Sequence, residues 1–171
     1  MEKLLILYGD QNVGKTSTLR NVFEILTGHK LNSHDPKKDM RVVLTVGNKT
    51  IFMSTFGDSE TAISQNFNFF NRKMRSTMIV YELDGGKLKK KTKADLSRLP
   101  APDICITACR IYKSGTPNDI FDKLNESILD IMPIKDIHWI AKTEAKENEK
   151  IQKTLETALN ITAEIIINKI V

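Results

Sequence analysis

The residues best able to do chemistry lie near the start of the chain. Gly9-Asp10-Gln11-Asn12-Val13-Gly14-Lys15-Thr16 fits G-x-x-x-x-G-K-S/T, a spacing that wraps backbone amides around a phosphate. Gly9 and Gly14 allow backbone dihedrals that a β-carbon disfavours, so successive N–H groups can point inward at an anion. A helix starting at the end of this stretch adds its positive dipole end. Lys15 is placed to reach β- and γ-phosphates and to stabilise charge during transfer, and the Thr16 hydroxyl to supply one Mg²⁺ ligand. Residues 9–17, ending in Ser17, thus read as a nucleoside-triphosphate site.

Such a site needs a second acid, expected at the carboxyl end of a strand beside the loop strand. Asp58 is the candidate for both catalysis and Mg²⁺, with a helix N-cap or turn role as the structural alternative, helped by Ser59 and Glu60. Asp10 is a second acid, placed for a turn-stabilising or switching contact. Arg110 closes a later apolar run and is a candidate contact to the base, the phosphates or a second substrate; a salt bridge is the alternative. Cys105 and Cys109 share that run. In an extended strand their α-carbons stand roughly 13 Å apart, beyond disulfide reach, so they read as buried thiols. His29, His34 and His138 have no metal-ligand spacing with them.

These residues need elements to hold them. Residues 3–8 are a nearly continuous apolar run, as in a parallel strand buried on both faces. After the loop, Leu19, Val22, Phe23 and Leu26 repeat at helical spacing up to a stop at Gly28. Residues 31–40 are polar and read as a loop over the nucleotide face. Residues 41–46 and 50–56, separated by Gly47-Asn48-Lys49, predict a β-hairpin with one strand antiparallel to the sheet. Residues 61–75 predict a helix with Ile63, Phe67 and Phe70 toward the core, and 76–83 another strand. The lysines at 87, 89, 90, 91 and 93 read as a solvated loop or helix face covering a crossover, with a nucleic-acid contact as the lesser reading. A strand ending at Arg110, a helix over 117–131, a strand over 136–140 and a helix over 143–171 complete the pattern. Its late isoleucines are placed against the sheet, with a dimer face or protein partner as the alternative.

The 171 residues, with no internal repeat or linker, suit one domain spanning 1–171. A hydrophobic fraction of 40% and a charged fraction of 27% suit a soluble globular protein, and unpaired cysteines suit a reducing cytosol. No apolar run reaches the roughly 18 residues of a membrane span.

Strand and helix alternate after this loop, and in that pattern the chain resembles a P-loop NTPase over its whole length. Residues 9–19, Gly-Asp-Gln-Asn-Val-Gly-Lys-Thr-Ser-Thr-Leu, together with the early hairpin, are similar to Ras-like small GTPases. The resemblance implies a three-layer α/β fold: a mostly parallel sheet of about six strands with one antiparallel hairpin strand, and helices on both faces. Where those GTPases carry Asp-x-x-Gly, this chain has Ser54-Thr55-Phe56-Gly57 and then Asp58. A guanine-reading pattern occurs at Thr92-Lys93-Ala94-Asp95, but it follows lysines rather than an apolar strand. The strand that should carry it ends Thr107-Ala108-Cys109-Arg110 without a carboxylate. The leading expectation is therefore a Mg²⁺-dependent NTPase using ATP ahead of GTP. The alternatives are a small-molecule or nucleotide kinase and a non-catalytic, nucleotide-dependent switch.

Overall fold

The computed structural model describes residues 1–10, 13–31, 39–74, 78–110, 119–131 and 133–167. Gln11 and Asn12 of the loop, most of the polar 31–40 stretch, the expected helix end at residue 75, the segment after Arg110 and the last residues, with Ile170, lie outside that set.

The described chain runs β1 (Lys3–Gly9), α1 (Lys15–Thr27), β2 (Arg41–Val46), β3 (Lys49–Ser54), α2 (Glu60–Phe70), β4 (Met78–Asp84), β5 (Lys87–Ala94), β6 (Ile104–Arg110), α3 (Asp119–Asp130), β7 (Asp136–Ala141) and α4 (Lys150–Ile167). The strands form one seven-stranded sheet in the order β5-β4-β2-β3-β6-β1-β7. Pairing is parallel except for β2–β3 and β4–β5. Hence β2 and β4 run against the other strands.

Alternation along the inner strands builds two cores. Leu4 and Ile6 of β1, Phe52 of β3, and Cys105 and Cys109 of β6 face α2 and α3, where they meet Ile63, Phe67, Phe70, Ile120 and Leu124. Leu5, Leu7, Ile51, Met53, Ile104 and Ile106 face α1 and α4, meeting Leu19, Val22, Phe23, Ala158, Ile161 and Ile165. Helices therefore cover both sheet faces, and β1 is buried on both sides as its sequence requires. Phe67 and Phe70 are core residues, and Phe52 stacks on Phe69 at 4.9 Å between ring centres. Each such ring adds about 1.5–3 kcal/mol on burial. Cys105 and Cys109 are both free and buried. Of the late isoleucines, Ile161 and Ile165 are packed, while Ile166 is exposed.

Several expectations need correction. The sheet has seven strands rather than about six, and two of them, not one, oppose the rest. The cause of the first is the lysine-rich stretch, which is the edge strand β5 rather than a solvated loop or helix face. Gly85 and Gly86 sit at φ 54° and 77°, the double positive-φ turn of a tight hairpin, and return the chain antiparallel along β4. Lysine is a poor strand former, but here it lines an outer edge where its charge discourages further strand pairing. The third correction is topological: β6 lies between β1 and β3, so the strand leading to Asp58 is not a direct neighbour of the loop strand. The expected helix over 61–75 ends at Phe70, where Asn71 caps it and Arg72 turns at φ 58°. The last helix begins at Lys150, not at residue 143. Among the described residues no helix is long and apolar enough to cross a membrane.

Candidate functional site

The carboxyl ends of β1, β3, β6 and β7 lie along one sheet edge, and the chain passes there from β1 into α1. Two close approaches fix that edge. A β-carbon on Gly9 would collide with the Lys142 carbonyl oxygen just beyond β7, whose N–H donates to the Tyr8 carbonyl at 2.7 Å. A β-carbon on Gly57 would collide with the Ala108 carbonyl oxygen of β6, and the Gly57 carbonyl accepts the Arg110 N–H at 2.9 Å. Glycine is thus required at both places by backbone contact. Gly14 caps α1 in the left-handed region, φ 87°, and its carbonyl accepts from the Thr18 N–H at 2.9 Å and the Thr18 hydroxyl at 2.8 Å. The first-turn amides beyond Gly14 have no intrahelical acceptor, as at any helix start.

A cleft of about 720 Å³ opens over this helix start. Of the residues singled out from the sequence, Val13, Gly14, Lys15, Thr16, Ser17 and Asp58 line it. Gly9 lies behind, as a packing point, and Asp10 carries the carbonyl that Lys15 meets. Arg110 lies at the end of β6, paired in register with Gly9, and its charge reaches Lys15 without its side chain lining the cleft.

Lys15 is buried, 7% exposed, with Nζ donating to the carbonyls of Gly9 at 3.1 Å and Asp10 at 2.6 Å. Burial holds its pKa below the ordinary lysine value; Asp58, then Asp10, oppose the shift and Arg110 adds to it. Across the loop, Cys109 is pushed up to about 12, chiefly by burial, with Lys15 pulling it back. A thiol in that state is no nucleophile.

Asp58 is exposed at the rim. The helix cap next to it is Ser59, whose Oγ accepts the Ala62 N–H at 3.1 Å, so the capping role belongs to the neighbour. The turn carrying Asp58 is held from beneath by Asn66, fully buried on α2. Its Oδ1 accepts from the Ser54 hydroxyl at 2.6 Å and Arg41 Nε at 3.0 Å; its Nδ2 donates to the Phe56 carbonyl at 2.7 Å and the Thr107 hydroxyl at 3.0 Å. One side chain thereby ties β2, β3 and β6 to the approach to Asp58.

The cleft also contains residues that the sequence alone did not mark. Asp39 Oδ1 accepts from the Thr16 and Thr55 hydroxyls, each at 3.0 Å. Lys142, 5% exposed, donates from Nζ to Thr154 Oγ1 at 3.1 Å beneath the wall that α4 contributes with Lys150, Ile151 and Thr154. The predicted hairpin held a usable signal for Asp39. Extending the pairing beyond Arg41 and Ser54 brings Met40 opposite Thr55 and Asp39 beside it. No comparable local signal marks Lys142.

The guanine-pattern residues end on the opposite side of the sheet. Asp95 follows edge strand β5 and accepts from the Ser97 N–H at 3.0 Å and the Ser97 hydroxyl at 2.8 Å, closing a short turn. Four strands separate β5 from β1.

Comparisons were made with family models, curated proteins and solved structures, and none of the three gives a match for this chain. What is established is the fold: an α/β chain with a seven-stranded, mostly parallel mixed sheet.

Proposed function

We propose that the cleft at the start of α1 binds a Mg²⁺-bound nucleoside triphosphate, ATP ahead of GTP, and cleaves its β–γ phosphoanhydride by hydrolysis. The observation that carries this reading is the convergence of Lys15, Thr16 and Asp58 on one cleft at a helix start, reached through Gly9, where a β-carbon would meet the Lys142 carbonyl, and Gly14, in the left-handed region. In this reading the amides of residues 13–17 and the dipole of α1 receive the phosphates. Lys15 exchanges its contacts with the Gly9 and Asp10 carbonyls for phosphate oxygens, which compensate its charge better than neutral carbonyls. Asp58 supplies an acid at the rim toward the transferred phosphoryl group and the metal.

The donor set suits Mg²⁺. Among the described residues no three His, Cys, Asp or Glu side chains gather as a metal cage. Instead the cleft presents the Thr16 hydroxyl and the carboxylates of Asp39 and Asp58. Mg²⁺ favours a few hard oxygens of this kind, completed by substrate phosphates. When bound, the ion would neutralise charge developing on the phosphoryl oxygens.

A thermal-shift series with ATP, GTP, ADP and GDP, with and without Mg²⁺, tests the reading alongside phosphate release in the absence of an acceptor. At a hundred times its dissociation constant, a nucleotide that binds only the folded state adds about 2.7 kcal/mol of stability. Stabilisation together with acceptor-free release supports an NTPase. Stabilisation with transfer only to an added acceptor replaces it with a kinase, and binding without turnover replaces it with a switch. No stabilisation by any nucleotide removes the proposal.

A further inference from the structure

Asp39 is the acid most directly built into the helix-start side of the cleft. Its Oδ1 takes hydrogen bonds from Thr16 and Thr55, both at 3.0 Å. Thr55 is itself fixed: its hydroxyl oxygen accepts the Met40 N–H at 2.8 Å, and its own N–H donates to the Met40 carbonyl at 2.9 Å. These bonds carry the β2–β3 pairing past Arg41 and Ser54. The antiparallel partner of β3, not the end of β3 itself, therefore delivers a carboxylate to Thr16.

The protons decide what Thr16 offers. A hydroxyl has one proton and two lone pairs, whereas a carboxylate oxygen accepts. With its proton engaged by Asp39, Thr16 presents lone pairs to the cleft, the form in which it can ligate a hard cation. Asp39 adds negative charge at hydrogen-bond distance from that ligand. Asp58 shares the cleft, but is exposed at its rim.

Building on the nucleotide reading above, we infer that Asp39 is the carboxylate that sets the Mg²⁺ dependence of this site. It orients Thr16 as a ligand and supplies the adjoining negative charge, with Thr55 fixing its position. Asp58 is left to act at the rim.

The test is calorimetric titration with β,γ-imido analogues of ATP and GTP, in EDTA and in MgCl₂, for the wild type, Asp39→Asn, Thr55→Val and Asp58→Asn. The readout is the ratio of affinities with and without Mg²⁺, which a loss of folded protein alone does not change. In Asp39→Asn that ratio falls about tenfold or more, the usual cost of losing a residue that orients a metal ligand, while Mg²⁺-free affinity is retained. Thr55→Val lowers the ratio in the same direction, and Asp58→Asn changes it less than Asp39→Asn does. A wild-type ratio in Asp39→Asn overturns the inference while leaving the nucleotide reading intact. If Asp39→Asn fails to fold, a wild-type ratio in Thr55→Val overturns it instead. If neither analogue binds the wild type under either condition, the nucleotide reading fails and the inference falls with it.

Discussion

Asn66→Leu removes four hydrogen bonds while keeping the number and branching of side-chain heavy atoms, and its cost can be worked from what each partner retains. Thr107 keeps its bond to the Ala108 carbonyl at 3.1 Å. Arg41 keeps Gln65 at 3.3 Å and its position 4.1 Å over the Phe56 ring. The Ser54 hydroxyl, fully buried, and the Phe56 carbonyl lose the bonds that Asn66 supplies. Two orphaned groups at about 1–3 kcal/mol each give about 4 kcal/mol of lost stability. For a chain of this size that lowers the melting temperature by about 8–16 °C. Urea unfolding, with the m-value compared between variant and wild type, measures the loss. Asn66→Asp keeps an acceptor and loses the donor, so it should also destabilise, because Phe56 and Thr107 lose their donor. A loss below about 1 kcal/mol for Asn66→Leu would refute the reasoning, since a satisfied buried network cannot be opened at so little cost without new partners.

Three further outcomes are expected. Because burial depresses the Lys15 pKa and a bound anion favours its protonated form, nucleotide affinity should be full while Lys15 is charged in the free protein. It should fall as pH rises through that depressed value, below the ordinary 10.5; Lys15→Arg, charged throughout, should flatten the profile, and an unchanged slope in that variant would count against the assignment. Cys105 and Cys109 should resist a thiol reagent at pH 8 in the native protein and react only on unfolding, because burial pushes Cys105 well above its ordinary value and Cys109 to about 12; rapid native labelling would contradict this. Gly57→Ala must displace β6 or break the Gly57–Arg110 backbone bond, at about 1–3 kcal/mol, measured by the same urea titration; a neutral result would show that the contact with Ala108 relaxes freely.

Local chemistry explains which features were legible in the sequence. The glycine-lysine spacing, the doubly buried β1, the stop at Gly28 (φ 68°) and the turn at Gly47 (φ 60°) are written in short runs, where one residue type has few physical roles. The two cysteines were readable as buried thiols because they share one apolar run, and in the fold both join the same core cluster. The lysine strand was hidden because its pairing with β4 and its place at the sheet edge, not its own propensity, make it β. Asp39, Asn66 and Lys142 acquire their places from partners distant in sequence: Asp39 from Thr16 and Thr55, Asn66 from Arg41 and Thr107, Lys142 from Tyr8 and Thr154. The separation of β1 from β3 by β6 follows from the order of strands across the sheet, for which the linear alternation of strands and helices gave no signal.

The central claim, that the cleft at the start of α1 receives a nucleoside triphosphate through Lys15, is tested most directly by equilibrium titration of β,γ-imido ATP and GTP into wild-type and Lys15→Ala protein in MgCl₂. Saturable binding of at least one analogue to the wild type and its loss in a folded Lys15→Ala variant is the predicted result. Equal affinity in both proteins, or no binding to the wild type, would contradict it.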